Sequence, residues 1–431
     1  MAAGDLTIPG NIPSPEAVRE VAEGRRTTAN AARWGFDAED ATEALQSAID
    51  SGARRVVVPN MGSDWIVGPV RLAGHQELFL ERGVVVSARR GAFRGKGDCL
   101  LLASGVDDVT VRGYGATIRM HKQDYMDYTK REVYPKAEWR MTLSLRGVHK
   151  AVIEGLTIRD SGGDGIYVSG GGGREYSRDI TIRDVVCDNH YRQGISVISV
   201  VGLMVENSVL SNTWGTPPSA GVDIEPDRAD QKAQEIVFRN CLFRDNYGAG
   251  IQVYLRFNEP DAEEVSILFD RCRVTSRMGS GLVFGALKAA GPEGLIEFRD
   301  CVVEDVAGVG ALVYDKHPER ARVRFTRTRW IDVGTGLTNA FARVDSVDTQ
   351  APLLIYNKRP EAITTTHGGI DFIDCEILDG RDRPFLAARQ EEPAEGVFDV
   401  TGSIRVRNPH GARMDLQDAR SGVSLQAVPV E

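Results

Sequence analysis

An all-β fold is predicted here: a single-stranded right-handed parallel β-helix of about 10 coils with an N-terminal capping α-helix. Three observations carry it. A glycine-led apolar segment recurs along the chain. A second strand pattern with period-2 alternation lies between its copies. No helix-length segment interrupts the repeat.

The composition agrees. Of 431 residues, 42% are hydrophobic, 26% charged and 7% aromatic, the balance of a globular chain. There are 46 glycines, about one residue in nine, which suits a fold with many turns. The net charge is −9, from 52 basic and 61 acidic residues, the wrong sign for a broad nucleic-acid surface. No apolar run approaches the ~18 residues of a membrane span. Met1 to Gly10 has neither a basic n-region nor an apolar h-region. The expected compartment is therefore the cytoplasm, or outside the cell with a leader already removed.

The repeat begins at Gly165-Ile166-Tyr167-Val168. It returns as Gly194-Ile195-Ser196-Val197, Gly221-Val222-Asp223-Ile224, Gly250-Ile251-Gln252-Val253, Gly281-Leu282-Val283-Phe284 and Gly310-Ala311-Leu312-Val313, then weakly as Gly336-Leu337. The glycines are 29, 27, 29, 31, 29 and 26 residues apart. Between them lie runs such as Ile180 to Cys187, Leu203 to Leu210 and Ile236 to Phe243. A residue suited to a tight bend divides them: Asp184, Asn207, Asn240 or Asp300, with Gly155 in the preceding coil. Each repeat thus holds about three short strands. A propeller blade needs four strands and usually more residues, so a β-helix coil fits better. Cys241, Cys272, Cys301 and Cys375 share one inward position, as do Val185 and Ser208. No Cys-x-x-Cys pair exists, so the cysteines read as free core thiols.

The ends complete the architecture. Residues 1–38 read as an N-terminal extension and 39–431 as one β-helix domain. Within it, residues 40–52 form an amphipathic cap helix with a glycine stop, followed by strands at Val56-Val57-Val58 and Trp65-Ile66-Val67. A loop insertion spans 121–140, regular coils run from about 141 to 340, and irregular coils fill 341–431. The cap motif Asp-x-Thr-x-Ala-Leu-Gln-x-Ala-Ile, then Val-Val-Val-Pro and the coils, resembles the pectin-lyase-like superfamily from about Asp40 to Asp332. That superfamily includes pectate lyases, polygalacturonases and related glycan-active proteins. The resemblance implies the fold and does not specify a reaction.

Stacked coils turn alternate strand positions into outward ladders. One runs Ser144, Tyr167, Ser196, Asp223, Gln252, Val283, Leu312, and the next Ser169, Ile198, Glu225, Tyr254, Gly285, Tyr314. Polar groups concentrate between residues 160 and 255. Asp223 and Glu225 are two strand residues apart, with backbones ~6.6 Å apart on one face. Their carboxyls are expected ~5–9 Å apart, across the windows of retaining and inverting glycosidases. Ser196 and Gln252 flank Asp223, which points to an ionised base or nucleophile. Ile198 and Tyr254 flank Glu225, which points to an acid with a raised pKa. The alternative is a solvated face, or a Ca²⁺ site built with Asp227.

Asp164, in Gly163-Asp164-Gly165, is similar to the aspartate of the polygalacturonase Asn-Thr-Asp-Gly segment. The likeness stops there, because Arg192-Gln193 and Ser219-Ala220-Gly221 replace that family's paired aspartates and Gly-His-Gly. Asp164 is thus a third candidate acid or simply a turn residue. Arg192, with His190 and Gln193 beside it, suits a sugar carboxylate, a lyase base, or an ion pair with Asp164 or Asp188. Trp214 offers a sugar-stacking face or packs its own loop. The 121–140 insertion carries five basic residues, four acidic ones, three tyrosines and a tryptophan, and its Lys122 and Tyr125 are candidate substrate contacts. Tyr167, Gln252, Tyr254 and Asp227 complete the expected binding set.

These residues point to a glycoside hydrolase acting on an oligo- or polysaccharide. The alternatives are a polysaccharide lyase on a uronate, using Arg192 or Lys122 as base, a glycan transferase, or a non-catalytic glycan-binding β-helix. No cofactor is required, and Ca²⁺ enters only if the chemistry is a lyase's. No nucleic-acid or membrane partner is expected, and side-by-side association into a homo-oligomer is compatible with the fold.

Overall fold

The computed structural model describes residues 12–255, 257–258, 261–286, 291–336, 351–357, 366–390, 396–416 and 421–430. Every strand pairing within its two sheets is parallel, and each strand pairs with its counterparts one coil away. A typical coil runs Ser177–Arg183, Val186–Asp188, then Gln193–Val197. The first two strands belong to a 22-stranded sheet and the third to a 12-stranded sheet. The shorter sheet has one strand per coil, so the described residues form 12 coils and not about 10.

The bends have the cause that the sequence suggests. Asp184, Asn207, Asn240 and Asp300 all have φ between 51° and 55°, the left-handed region that Asp and Asn tolerate best. Arg271, Arg327 and Asp374 extend the same column. At Gly155 (φ 72°) a Cβ would also lie 2.6 Å from the Tyr114 ring, so glycine is required twice over. The repeated glycines of the shorter sheet have a different reason. A Cβ on Gly165, Gly194, Gly221 or Gly281 would lie 2.4–2.6 Å from the carbonyl oxygen of the next coil's glycine. Close approach between backbones therefore sets the Gly-apolar-x-apolar pattern.

One apolar core runs the length of the solenoid, from Val21 to Leu425. Inside it the phenylalanines of successive coils stack. Centroids are 5.0 Å apart for Phe238–Phe269, 4.8 Å for Phe269–Phe298, 5.5 Å for Phe298–Phe325 and 5.2 Å for Phe325–Phe372. All six cysteines are buried and free. Cys241, Cys272 and Cys301 occupy successive coils at one inward position and Cys375 closes the run, with Thr328 holding the place between Cys301 and Cys375. Each of these thiols reaches a backbone carbonyl, as Cys272 does with Phe238 and Cys301 with Phe269.

The cap helix spans Thr42–Asp50 and buries Ala44, Leu45, Ala48 and Ile49 over the first coil. Asp40 accepts from the Thr42 N–H, and Gln76 Nε2 donates to the carbonyls of Ile49 and Ala53 at the other end. The 1–38 segment does more than precede the β-helix. It holds a helix, Pro15–Ala22, and a strand, Thr28–Asn30, that pairs with Arg55–Val58. The coils continue beyond residue 351 through Leu353–Asn357, Thr366–Leu378 and Gly396–Arg407. Leu337, and the expected change of regularity near residue 340, lie outside the described residues. No helix among the described residues is long and apolar enough to cross a membrane.

Candidate active site

The shorter sheet presents the outward ladder in the expected register: Ser144, Tyr167, Ser196, Asp223, Gln252, Val283 and Leu312 are paired coil by coil. Its environment differs from a solvated face. Asp223 is only 1% exposed, and Ser144, Ser196 and Gln193 are also sealed from solvent. Gln193 Nε2 donates to Asp223 Oδ2 at 2.8 Å and Gln252 Nε2 to Oδ1 at 3.1 Å. The expected partner Ser196 is replaced by Gln193, and the Ser196 hydroxyl has no hydrogen-bond partner.

Glu225 and Asp223 share a hydrogen bond, which lowers the affinity of Asp223 for a proton and raises that of Glu225. The two carboxyls are therefore closer than expected. Burial pushes the Glu225 carboxyl up to about 8, helped by the neighbouring Asp223 charge. Burial also raises Asp223, opposed by Arg192, the Glu225 hydrogen bond and the two glutamine amides. The shared hydrogen bond and the two glutamine amides favour the pair's proton on Glu225 over Asp223. Asp227 stands exposed at the rim, and its backbone N–H donates to Gln231 Oε1 at 2.5 Å.

Arg192 is the central cation. Its Nη1 lies 4.0 Å from Asp164 Oδ2 and its Nη2 3.7 Å from Glu225 Oε2, and both the Arg192 and Glu225 side chains keep 18% exposure. The Tyr191 and Arg192 N–H groups both donate to the Gly163 carbonyl, which hangs this turn beside Asp164. Asp188, the other expected partner, lies 3.8 Å from Arg159 instead. Although buried, the guanidinium stays charged, because Asp164, Asp223, Glu225 and Glu138 surround it. Asp164 is fully buried and neither carboxylate oxygen has a hydrogen-bond partner. Burial raises it to about 7, against the pull of Arg192.

Besides Gln193, four expected substrate contacts are buried. His190 is sealed beneath the site, with Nδ1 2.8 Å from Ser161 Oγ, and burial lowers its pKa to about 3. Lys122 is buried, donates to Asn189 Oδ1 and the His190 carbonyl, and is lowered by burial to about 7. Tyr125 is buried against Tyr134, 5.0 Å between centroids, with Arg140 over its ring. Tyr254 belongs to an apolar cluster with Leu312 and Tyr314. Apolar surface claims Tyr125 and Tyr254, the Ser161 hydroxyl claims His190, and Asn189 with the His190 carbonyl claims Lys122. Tyr167 stays half-buried on the floor with the Arg146 guanidinium 5.6 Å from its ring centre. Trp214 is partly packed and partly open. One face packs over the Lys122 ammonium at 4.2 Å and the indole donates to Asn189, while 36% of the residue remains exposed.

Glu138 is the residue that sequence reasoning missed. The 121–140 insertion folds as a short helix, Lys122–Met126, and a 3-10 turn, Tyr128–Lys130. It then crosses Gly162 and Gly163 so closely that a Cβ on Gly163 would lie 2.6 Å from the Glu138 carbonyl. Glu138 accepts from Thr216 Oγ1 at 3.2 Å, tying the insertion to the Trp214 loop, and its charge raises Asp164. Its only signal in the sequence is membership of the insertion. Among the described residues no group of three or more His, Cys, Asp or Glu side chains is arranged to hold a metal ion.

A family model described as "Right handed beta helix region" matches residues 138–289, the coils that carry this cluster. A curated relative, the uncharacterized SPbeta prophage-derived protein YorA of Bacillus subtilis, is 23% identical over 201 residues, 43% of this chain. The match spans about a third (33%) of that protein's length. Among solved structures, the A-module of a mannuronan C-5 epimerase from Azotobacter vinelandii superposes with a TM-score of 0.65 at 14% identity, over 94% of this chain and 99% of that one. The surface adhesin PfbA of Streptococcus pneumoniae gives 0.62 at 12% identity, over 90% and 91%. A family 28 exopolygalacturonase of Yersinia enterocolitica gives 0.59 at 14%, over 94% and 79%. The likenesses to solved structures extend over 90–94% of the chain and agree with the observed coils and parallel pairing. The chain has the right-handed parallel β-helix fold.

Proposed function

We propose that this protein is a carbohydrate-active enzyme that hydrolyses a glycosidic bond with the Glu225–Asp223 pair. The observation that carries the reading is a largely buried carboxyl that keeps solvent access, beside the buried Asp223 and 3.7 Å from the Arg192 guanidinium, with burial raising its pKa to about 8. A carboxylic acid poised near neutral pH is what protonation of a departing sugar oxygen requires. Glu225 gives its proton to the glycosidic oxygen as the C–O bond breaks. Water adds at the anomeric carbon, and the proton it releases returns to the carboxyl pair. Asp223, almost without surface, holds charge and proton affinity in the pair. Trp214 offers the exposed aromatic face on which a pyranose ring stacks.

The lyase alternative loses its two candidate bases. Arg192 is held in its charged form by the surrounding carboxyls, and Lys122 is tied to two oxygens beneath Trp214. Solved structures of similar fold include an enzyme named for polygalacturonan and one named for mannuronan, so both polymers belong in the substrate panel. The test compares the wild type, Glu225→Gln and Asp223→Asn for release of reducing ends and of unsaturated products, with and without chelator. Reducing ends without unsaturation, lost in both variants, are expected. Unsaturated products that persist in both variants would overturn the assignment.

A further inference from the structure

We infer that Arg146, with Arg71 near it, binds an anionic group of the glycan, a carboxylate or a sulfate ester, on a sugar a few units away from the bond that Glu225 breaks. The inference rests on the hydrolase reading above. Arg146 ends the strand Leu143–Arg146 of the shorter sheet and is half-buried. Its side chain turns back along the strand. Nε donates to the Ser144 hydroxyl at 2.9 Å, and the guanidinium stands 5.6 Å from the centre of the Tyr167 ring. Those contacts fix the group beside the partly exposed Tyr167 and leave its charge unmatched.

A guanidinium taken partly out of water is ordinarily matched by a carboxylate. The chain follows that rule elsewhere on its coils. Arg112 and Arg183 both reach Glu154, and Arg239 and Arg299 both reach Asp270. Arg192 lies between Asp164 and Glu225. Among the described residues Arg146 forms no ion pair. Neither does Arg71, exposed on the same sheet two coils earlier. The charges of both act on the buried Cys99 thiol, so the two arginines stand near one point. Asp98, the acid that also acts on that thiol, is engaged with the Gly95 N–H. A planar fork of N–H donors in this state matches the paired oxygens of a carboxylate or a sulfate.

The register ties these arginines to the carboxyl pair. Arg146 pairs with Ser169, and the same outward column continues through Ile198 to Glu225, three coils on. At ~4.8 Å per coil the two backbones are ~14 Å apart, the span of a short oligosaccharide. Tyr167 links them, because its phenol feels the charges of both Arg146 and Asp227, the residue two after Glu225. The charge on this face therefore changes sign along the axis. Arg71 and Arg146 come first, and Asp164, Asp223 and Glu225 follow around Arg192. An acid group on the reacting sugar would meet those carboxyls, with Arg192 already matched. The same group toward the N-terminal coils meets a guanidinium that no carboxylate holds. The charge of the glycan is thus read away from the reacting bond.

The test titrates the full-length Glu225→Gln protein calorimetrically with oligomers of galacturonate, mannuronate and sulfated galactose. Each series is paired with its uncharged counterpart, methyl-esterified or unsulfated. One acidic series is expected to bind about 10- to 100-fold more tightly than its counterpart, the range of a hydrogen-bonded charge. Which series does so distinguishes carboxylate from sulfate. Added Arg146→Gln should abolish the difference, Arg146→Lys should restore part of it, and salt should weaken it. The comparison of charged with uncharged ligand needs no change at Arg146, so a folding defect there cannot mimic it. No preference for any acidic series, or a preference that survives Arg146→Gln, overturns the inference. Turnover in the wild type and Glu225→Gln separates the two readings. Binding through Arg146 with turnover that survives Glu225→Gln removes the hydrolytic site and leaves the anion subsite. Turnover lost in Glu225→Gln without a preference for charge removes the subsite and leaves the hydrolase.

Discussion

Glu225 and Arg192 set what the site can do residue by residue. Glu225→Gln keeps the shape and removes the transferable proton, so turnover is expected to fall about 10²–10⁴-fold. In the wild type the proton leaves Glu225 near pH 8, so the hydrolytic rate should decline as pH rises through that value, read from a pH–rate profile. Stability follows the same group. Its folded pKa is raised, so the stability it contributes is fully present below its unfolded value of 4.5 and is lost as pH rises through about 8. Glu225→Gln is therefore expected to gain melting temperature relative to the wild type as pH goes from 5 to 9. Arg192→Ala should act in the opposite direction. It leaves Asp164 and Asp223 without a countercharge, at a cost of about 3 kcal/mol near neutral pH. The cost should shrink at pH 5, where more of these carboxyls are protonated, as denaturant titrations at the two pH values would show.

At the scale of elements, the glycine column and the thiol stack show how coils are held at their spacing. Gly221→Ala would place a Cβ 2.6 Å from the Gly250 carbonyl and 2.7 Å from Asn246 Nδ2. That overlap should cost about 1–3 kcal/mol and displace the strand that carries Asp223, so denaturation midpoint and activity should fall together. The cysteines make a sharper chemical prediction. All six are buried, and burial pushes the Cys99, Cys187, Cys272 and Cys375 thiols up. A thiol reagent should label none of them in the native protein and all six after unfolding, counted by mass. The insertion is the element whose role sequence reasoning partly misjudged. Its tyrosine and lysine looked like a binding wall, yet Tyr125 and Lys122 fasten the insertion to the coils while Glu138 points its charge toward the site.

Over the whole molecule, the core behaves as a stack of nearest neighbours. Phe298 touches the coils on both sides through Phe269 and Phe325 and also packs against Phe284. Phe298→Ala should therefore cost about 3–5 kcal/mol, seen as a lowered denaturation midpoint. The outer surface of the shorter sheet is divided along the axis. Its polar rungs reach Gln252, and an apolar, covered face follows from Leu312 onward.

The sequence by itself determined the solenoid, the strand register and the ladder that pairs Tyr167, Ser196, Asp223 and Gln252. These follow from local periodicities: two residues along a strand, one coil along the chain, a left-handed bend at each Asp or Asn, and a glycine wherever two backbones nearly touch. The same logic put Asp223 beside Glu225. Only the tertiary structure decided their solvent access, their shared proton and their countercharge. Burial of Asp223 arises where coils and loops far apart in sequence close over one point, and period-2 alternation distinguishes inward from outward but not outward from exposed. His190, Lys122, Tyr125 and Tyr254, expected at the surface, lie buried for that reason. Glu138 stayed hidden because a loop's path across the coils is set by contacts with Gly162, Gly163 and Thr216, and no spacing along the chain encodes them.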